Sequence, residues 1–220
     1  MLDRLGYLVD LEKLKNKRVL IIGLGGVGSY ALESIARSGI ESITIVDNDV
    51  IDITNINRQL FALNSTIGLA KVAVALKRIK DINPNCQVKI IKEFITKDNI
   101  DLLFKEKIDY LIDAIDTIDT KKLLIKNCLD KNIKFISSMG TANKMDPTLL
   151  KIMDLSKTNY DPIAKILRKY VKDLKTNKKV MVVCSNEQTK IKDKLGSNAY
   201  VPATAGLLCA SYVINDIVGD

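Results

Sequence analysis

Cationic and amide side chains that suit a triphosphate follow the second predicted strand. Asn55, Arg58 and Gln59 stand close together, and Lys71 comes shortly after them. An arginine offers a planar fork to phosphate oxygens and a lysine offers a point charge, and both stabilise the charge that develops as pyrophosphate leaves. A dinucleotide oxidoreductase has no need of these side chains here. The stretch therefore predicts an enzyme that binds and neutralises a triphosphate.

A glycine-rich turn precedes that stretch. The apolar run 19–22 leads into Gly23-x-Gly25-Gly26-x-Gly28, and a predicted helix follows. Glycines let the backbone turn sharply and approach a ligand, and the helix N-terminus offers free N–H groups and a positive dipole end. Gly28 would also allow the helix to pack closely on the strand. The motif alone suits NAD, FAD or ATP, so the choice of a triphosphate depends on the residues after it.

Three aspartates stand where a parallel sheet would place them near its carboxyl edge. Asp47 ends the second predicted strand, about 20 residues past the glycines, where a carboxylate accepts hydrogen bonds from ribose hydroxyls. Asp116 lies just beyond the fourth strand, and its oxygens suit a Mg²⁺ ion shared with phosphates. Asp113 is a candidate second ligand, but its position within the strand favours a structural role. We therefore expect Asp116 to be the metal ligand.

The composition excludes several kinds of chemistry. The 220-residue chain contains no histidine, which rules out His-based triads, His general bases and His metal ligands. Its 4 cysteines are scattered and never spaced as Cys-x-x-Cys, so neither a zinc tetrad nor a disulfide framework is expected. No run approaches about 18 apolar residues, and no cationic leader precedes an apolar block at the N-terminus. We expect a protein without a membrane span, located in the cytoplasm.

Predicted strands and helices alternate along the first half of the chain. This order is typical of an α/β protein with a Rossmann-like, doubly wound, mostly parallel sheet covered by helices on both faces. Strands are predicted at 18–22, 43–46, 88–91, 110–114 and 134–137, and helices at 8–16, 26–37, 68–82, 98–106 and 119–131. Ser38-Gly39 and Asn83-Pro84 are expected to end two of these helices.

The alternation loosens after Ser138. We expect strands over 149–154 and 180–184, a basic helix over 162–175, a mobile connection over 185–198, and an apolar helix over 204–218 packed on the core. Asn215 and Asp216 interrupt that last stretch, which argues against a membrane anchor. No repeat or linker divides the chain. The prediction is one domain over 1–220, with a nucleotide-binding part over about 1–137 and a C-terminal substrate-recognition extension over about 138–220.

Positive charge is concentrated in residues 151–194. This stretch carries 12 Lys and Arg against 5 Asp and Glu, so it accounts for most of the net charge of +8. A local basic block indicates a polyanionic partner such as nucleic acid. The alternative, a solvated lysine-rich helix face, stays open at this point.

Five motifs in this order resemble the ThiF/MoeB-type adenylating family, which has the ATP-using fold shared with ubiquitin-activating enzymes. They are the glycine motif, Asp47-x-Asp49, Asn55-x-x-Arg58-Gln59, Gly68-x-x-Lys71 and Asp113-Ala-Ile-Asp116, and they cover residues 4–117. The second half is similar to one branch, the tRNA threonylcarbamoyladenosine dehydratases (TcdA/CsdL). That similarity lies in Asp146-Pro147-Thr148, Asp154-Leu-Ser-Lys157-Thr158, Asp161-Pro162 and Val201-Pro202-Ala-Thr-Ala-Gly206.

The resemblance implies an activity, partners and a set of site residues. Members of this branch use ATP to dehydrate and cyclise threonylcarbamoyladenosine in the tRNA anticodon loop, through an acyl-adenylate. It implies ATP and Mg²⁺, tRNA as substrate, sulfur-relay proteins as partners, and a homodimer in which Arg4 reaches the triphosphate of the partner subunit. The complete expected ATP-binding set is Gly23, Gly25, Gly26, Gly28, Asp47, Asp49, Asn55, Arg58, Gln59, Lys71, Asp116, Thr117 and Arg4, with Arg58, Lys71 and Asp116 as the catalytic residues.

Two other functions stay open. A related branch adenylates the C-terminal glycine of a ubiquitin-like sulfur-carrier protein, and such branches use a nucleophilic cysteine and often a zinc tetrad. Cys184 is the candidate nucleophile here, but its place at the end of an apolar strand is more typical of a small buried residue. A non-catalytic nucleotide-binding scaffold is the third possibility, and the intact set of phosphate-binding side chains argues against it. Cyclisation is favoured because a tethered attacking group needs no protein nucleophile.

Overall fold

One mixed sheet runs through both parts of the chain in the computed structural model, which describes residues 2–188 and 194–219. Within those residues the sheet has seven strands in the order β3-β2-β1-β4-β5-β7-β6. They are β1 (Arg18–Ile22), β2 (Ser42–Val46), β3 (Gln87–Ile91), β4 (Tyr110–Asp113), β5 (Lys134–Ser138), β6 (Leu150–Asp154) and β7 (Met181–Ser185). Only the β6–β7 pair is antiparallel among these strands. The predicted Rossmann-like, mostly parallel fold is confirmed.

Helices cover both faces of this sheet. They are α1 (Asp3–Gly6), α2 (Glu12–Lys15), α3 (Gly28–Arg37), α4 (Lys71–Ile82), α5 (Ile118–Lys131), α6 (Pro162–Asp173) and α7 (Tyr200–Val218). The buried side chains of α3, α4 and α7 form one hydrophobic cluster, and those of α5 and α6 form a second. Because each face of the central strands meets apolar helices, β4 is buried throughout and β1 is buried after its first residue, Arg18.

The contact between α3 and α7 depends on a missing side chain. A Cβ atom at Gly206 would lie 2.2 Å from the carbonyl oxygen of Val27 and 2.9 Å from the backbone nitrogen of Ala31. Only glycine therefore allows the two helices to approach this closely. The packing supports the predicted position of the last helix on the core, although α7 begins at Tyr200, four residues before the predicted start.

By length and composition alone, α7 could also cross a membrane. Half of its apolar window is buried inside the fold, with Val201, Ala205, Cys209 and Val213 fully enclosed. Its first turn contains Pro202, which needs no intrahelical donor at that position. The side-chain oxygen of Asn198 accepts a hydrogen bond from the backbone nitrogen of Val201 at 2.9 Å. These features are those of a core helix.

Two predicted helices were wrong in form. Of the single helix expected over 8–16, only α2 forms, and Leu14 is its one buried residue, so no continuous apolar stripe supports a longer helix. The other short helix, α1, precedes the predicted range. The helix expected over 98–106 is a 3-10 helix over Ile100–Phe104. The Asn99 side chain accepts from the backbone nitrogen of Thr96 at 2.7 Å, and this local bond competes with a regular helix start.

The ends of other elements agree with the sequence patterns. Helix α3 ends at Arg37, and Gly39 has a φ of +84°, the left-handed conformation that commonly follows a helix.

Of the connection predicted to be mobile over 185–198, residues 189–193 lie outside the described residues. The last part of the connection, residues 194–198, contacts the loop after β5, because the backbone nitrogen of Asn143 donates to the Gly196 carbonyl at 2.9 Å.

Candidate nucleotide-binding site

A cleft of about 1620 Å³ opens at the carboxyl ends of the parallel strands. Its lining includes the glycine loop after β1, Asp47 after β2, Asp116 after β4, the loop 138–144 after β5 and the first residues of α6. The strands β2 and β4 lie on opposite sides of β1. The cleft therefore lies at the switch point where open α/β sheets bind their ligands.

The glycines of the loop have two different roles, because some line the cleft and one allows close packing of α3. Gly25 and Gly26 line the cleft, and a Cβ atom at Gly25 would lie 3.8 Å from Nε2 of Gln59, which also lines it. Gly23 has a φ of +86°, which favours glycine. A Cβ atom at Gly28 would lie 1.7 Å from the Gly23 carbonyl oxygen, so Gly28 lets α3 pack against the loop. Gly28 is not among the cleft-lining residues, and the geometry supports its packing role.

Asp47 is held rigidly at the end of β2. Its Oδ2 accepts a hydrogen bond from the backbone nitrogen of Leu24 at 2.6 Å, and its Oδ1 accepts one from that of Asp49 at 2.8 Å. The first bond ties the carboxylate to the glycine loop. The predicted hydrogen bonds to a ribose would be made from this fixed position.

Lys71 is the best-anchored cation of the predicted phosphate-binding set. It begins α4, its exposed fraction is 5%, and its Nζ lies 2.8 Å from Oδ2 of Asp49. Its backbone nitrogen also donates to the carbonyl of Asp49 at 3.0 Å. Asp49 therefore acts as a counter-ion that holds the ammonium at the cleft wall. A bound triphosphate would compete with this carboxylate for the same cation.

Asn55 and Arg58 are oriented by a short helical turn. Asp52 caps the 3-10 helix Ile53–Asn55, and the Asn55 side chain completes a capping box by accepting from the backbone nitrogen of Asp52 at 3.1 Å. Arg58 Nη1 donates to the Thr54 carbonyl and to Oδ1 of Asn57, each at 2.9 Å. Both predicted residues line the cleft, as Lys71 does.

The two aspartates around β4 have different roles. Asp116 and Thr117 line the cleft, and the Asp116 carboxylate is exposed. Asp113 is fully buried, and its Oδ2 binds the Lys121 ammonium at 3.0 Å and the Ser137 hydroxyl at 2.6 Å. This buried ion pair supports the structural role that the sequence favoured for Asp113 over the role of a second metal ligand. The Asp116 carboxylate, in contrast, is open to a ligand in the cleft.

Arg4 lies apart from the cleft of its own subunit. It is exposed on α1 and is not among the residues that line the cleft. Its predicted contact with a triphosphate depends on a second subunit and stays a prediction.

The far wall of the cleft contains residues that sequence reasoning did not select individually. Lys144 is 3% exposed, and Asp161 is 4% exposed, caps α6 and accepts from the Gly140 nitrogen at 3.0 Å. Tyr160 is exposed with a φ of +56°, an uncommon conformation for a bulky side chain. The sequence pair Asp161-Pro162 could have predicted that Asp161 caps a helix, because a capping residue followed by proline is typical of a helix start.

The basic block provides an exposed cationic face on α6. Arg168 and Lys178 have structural partners instead, since Arg168 Nη1 donates to the Thr158 carbonyl at 2.8 Å and Lys178 Nζ to the Leu129 carbonyl at 2.6 Å. Part of the block, Lys190 and Lys192, lies outside the described residues. The exposed lysines that share one helix face are Lys165, Lys169 and Lys172.

Cys184 is buried at the end of β7. Burial raises the pKa of its thiol to about 12, with the Asp161 carboxylate as a smaller contribution in the same direction. A thiol with that pKa carries almost no thiolate at neutral pH. The structure therefore supports a packing role.

Replacing Cys184 with alanine or serine is expected to leave most of the catalytic activity in place. The physical reason is that the buried thiol is not a nucleophile. Turnover should be measured with protein of verified fold. Complete loss of activity in both folded variants would instead indicate a covalent thioester mechanism.

Comparison with known proteins assigns the family. The fold and cleft define a Rossmann-like nucleotide-binding protein, and the ThiF family model matches residues 3–220. The chain belongs to the ThiF family. It is 46% identical to the tRNA threonylcarbamoyladenosine dehydratase of Bacillus subtilis, over 96% of this chain and 90% of that protein. A probable molybdopterin-synthase adenylyltransferase of Porphyra purpurea is 40% identical over 55% of this chain and 31% of that protein.

Solved structures agree with this assignment. The crystal structure of Escherichia coli TcdA in complex with ATP superposes with a TM-score of 0.90 and 36% identity, covering 95% of this chain and 88% of that chain. Its complex with AMP gives a TM-score of 0.89 and the same identity, with 95% and 89% covered.

Proposed function

We propose that this protein is an ATP-dependent tRNA threonylcarbamoyladenosine dehydratase. The observation that carries the proposal is the extent of its similarity to proteins of that name, which includes the far wall of the cleft and α6. Similarity to the molybdopterin-synthase adenylyltransferase spans little more than half of the chain. The sulfur-carrier alternative is therefore less favoured, and the buried Cys184 supports the same choice.

The proposed reaction has two steps. The substrate carboxylate attacks the α-phosphorus of ATP, which forms an acyl-adenylate and releases pyrophosphate. A group of the same modified side chain then attacks the acyl carbon, AMP leaves and the ring closes, with a net loss of one water. Because the attacking group is already tethered, its effective concentration is high and a protein nucleophile is unnecessary.

The residues of the cleft have distinct parts in the first step. Asp47 would accept hydrogen bonds from the ribose, and the glycine loop would let the phosphates approach the start of α3. Lys71 and Arg58 would neutralise charge that grows on the leaving pyrophosphate. The loop after β5 and the start of α6 form another part of the cleft lining, which is left for the substrate.

Asp116 fits a Mg²⁺ ion bound together with ATP. Mg²⁺ takes one or two carboxylates and completes its octahedron with substrate phosphates and waters. Among the described residues no cluster of three or more acidic, cysteine or histidine side chains forms a separate metal site. The exposed Asp116 carboxylate in the cleft suits that mode of binding, and the ion would further neutralise the charge of the leaving group.

The exposed lysines of α6 are proposed to bind the tRNA backbone. The helix starts at Asp161 and Pro162 on the rim of the cleft, so its cationic face continues from the site where the modified nucleoside would bind. Residues of about 138–220 would thus recognise the tRNA within a single domain. With tRNA and ATP as substrates, the protein is proposed to work in the cytoplasm. A contact with sulfur-relay proteins stays a prediction from the family resemblance.

A homodimer is proposed from two groups of exposed apolar side chains. Six of them lie in the connection between β2 and α4, which also contains Asn55 and Arg58, and two more follow α1 and Arg4. They are Val50, Ile53, Ile56, Leu63, Ile67 and Leu69, and Tyr7 and Leu8. An apolar surface of this kind is typical of a protein–protein contact. It would place Arg4 of one subunit near the cleft of the other.

Mixing two inactive variants tests the proposed dimer. An Arg4→Ala chain and a Lys71→Met chain are each expected to lose activity. Hybrid dimers contain one site with both cations intact, so the mixture should recover part of the wild-type rate. Turnover after co-refolding or subunit exchange is the measurement. A monomer by light scattering, or dimers without recovery, would contradict the shared site.

The proposed function is tested by the stoichiometry of nucleotide release. Labelled ATP is incubated with the protein and tRNA that carries threonylcarbamoyladenosine. One AMP and one pyrophosphate are expected for each modified tRNA consumed, with neither formed on tRNA lacking the modification. Release that instead requires a sulfur-carrier protein ending in glycine would favour the alternative function.

A further inference from the structure

Among the residues that the structure describes, three buried lysines line or adjoin the cleft, and one of them differs from the others. Lys71 is paired with Asp49 at 2.8 Å, and Lys121 with Asp113 at 3.0 Å. The ammonium of Lys144, which is 3% exposed, donates instead to the backbone carbonyl of Glu187. No ion pair joins Lys144 to a carboxylate anywhere in residues 2–188 and 194–219.

The acidic groups around Lys144 are occupied by backbone donors. Asp161 accepts from the nitrogens of Ala164 at 2.7 Å and Gly140 at 3.0 Å. The Glu187 carboxylate accepts from the backbone nitrogens of residues 145 and 146, each at 2.9 Å. Both carboxylates stabilise the loops that form the far wall. Among the described residues, the Lys144 charge is thus buried with a single neutral acceptor, an arrangement that costs free energy unless an anion completes it.

Lys144 is held in a fixed position on the cleft wall. Asn198 Nδ2 donates to its carbonyl oxygen at 2.7 Å, and the loop that contains it follows β5, on the other side of β4 from the glycine loop. Lys144 lines the cleft together with Tyr160 and Asp161. Lys144 therefore belongs to the part of the cleft lining that lies away from the glycine loop.

We propose that Lys144 binds an oxyanion of the tRNA substrate at the far end of the cleft. The inference rests on the proposed function, and the oxyanion is either the carboxylate of the threonylcarbamoyl side chain or a phosphate of the RNA backbone. Both are oxygen anions that a buried ammonium recognises by charge-assisted hydrogen bonds. With the carboxylate as ligand, Lys144 would offset its repulsion by the triphosphate until the acyl-adenylate forms.

The test replaces Lys144 with methionine and, separately, with glutamine, which can still donate to the Glu187 carbonyl. Binding is measured without ATP, using tRNA with and without the threonylcarbamoyl group. Losing a hydrogen bond between charged groups should weaken binding about tenfold or more. A loss confined to the modified tRNA identifies the carboxylate, and an equal loss for both tRNAs identifies a phosphate. Affinity for ATP should not change, and the melting temperature should stay equal or rise.

Lys105→Met is the matched control, because Lys105 is exposed and does not line the cleft. Wild-type affinity for both tRNAs in folded Lys144 variants would overturn the proposal, as would an equal loss in the control. If either Lys144→Met or Lys144→Gln fails to fold, the tRNA affinity of the other variant tests the proposal. If the wild-type protein binds the modified tRNA but does not cyclise it, the proposed function is wrong. The affinities of the wild-type protein and the Lys144 variants for the two tRNAs still test the role of Lys144.

Discussion

Replacing Lys71 with methionine is expected to reduce kcat by roughly 10²–10³-fold, because one electrostatic contact to developing negative charge typically has that effect. The 5% exposed side chain is lost from the phosphate-binding side of the cleft, while a methionine fills the same space. Asp49 loses its partner but is more than half exposed, so water can solvate it and the fold should survive. The measurement is single-turnover AMP formation at saturating ATP and tRNA.

Lys77→Met is the matched control on the same helix. Lys77 is exposed on α4 and does not line the cleft, so its replacement should leave kcat unchanged. Asp116→Asn is expected to lower kcat as Lys71→Met does, and its defect should respond to Mg²⁺ concentration. Near-wild-type kcat in the folded Lys71→Met protein would remove this lysine from the catalytic residues.

Replacing Lys165, Lys169 and Lys172 together with glutamine is expected to raise the KM for tRNA and to flatten its dependence on salt. Each neutralised phosphate contributes about 0.7–0.9 units to the slope of log affinity against log salt. The three side chains are exposed on one face of α6 and lie outside the ATP-binding residues. Affinity for ATP should therefore not change. Arg168 is left intact, because its bond to the Thr158 carbonyl stabilises the loop before α6.

The control for this variant changes the same number of charges elsewhere. Lys77, Lys97 and Lys105 are exposed on other elements, and their replacement by glutamine gives the same net charge. A specific surface on α6 predicts that only the first variant weakens tRNA binding. An equal effect of both variants would indicate general electrostatic attraction, and no effect of either would leave α6 as a solvated helix face.

Much of the nucleotide-binding half could be predicted because its signals are local. The buried runs of β1 and β4 determine where each strand ends, and the residues just past those ends fall at one edge of the sheet. Asp47 and Asp116 were placed correctly at the cleft on this basis. Gly28 illustrates the remaining ambiguity, since the motif allows a role in ligand approach or in packing, and only the geometry distinguishes them.

The buried lysines could not be predicted from local patterns. In α5 the spacing of Lys121 suits a solvated helix position as well as a buried one, and its partners Asp113 and Ser137 come from two neighbouring strands. Lys144 stands in a polar loop, where a lysine is usually exposed. Both are enclosed by residues distant in sequence, so their burial follows from the assembled fold. The 3-10 helix after Asn99 was missed because one side-chain hydrogen bond outweighed the helical pattern.

The most direct test of the account is the mass of the modified nucleoside after reaction. Transfer RNA carrying threonylcarbamoyladenosine is incubated with the protein, ATP and Mg²⁺, and then digested to nucleosides for mass spectrometry. The threonylcarbamoyladenosine signal is expected to be replaced by a species lighter by one water, and only when ATP is present. An unchanged nucleoside alongside steady AMP formation would contradict it.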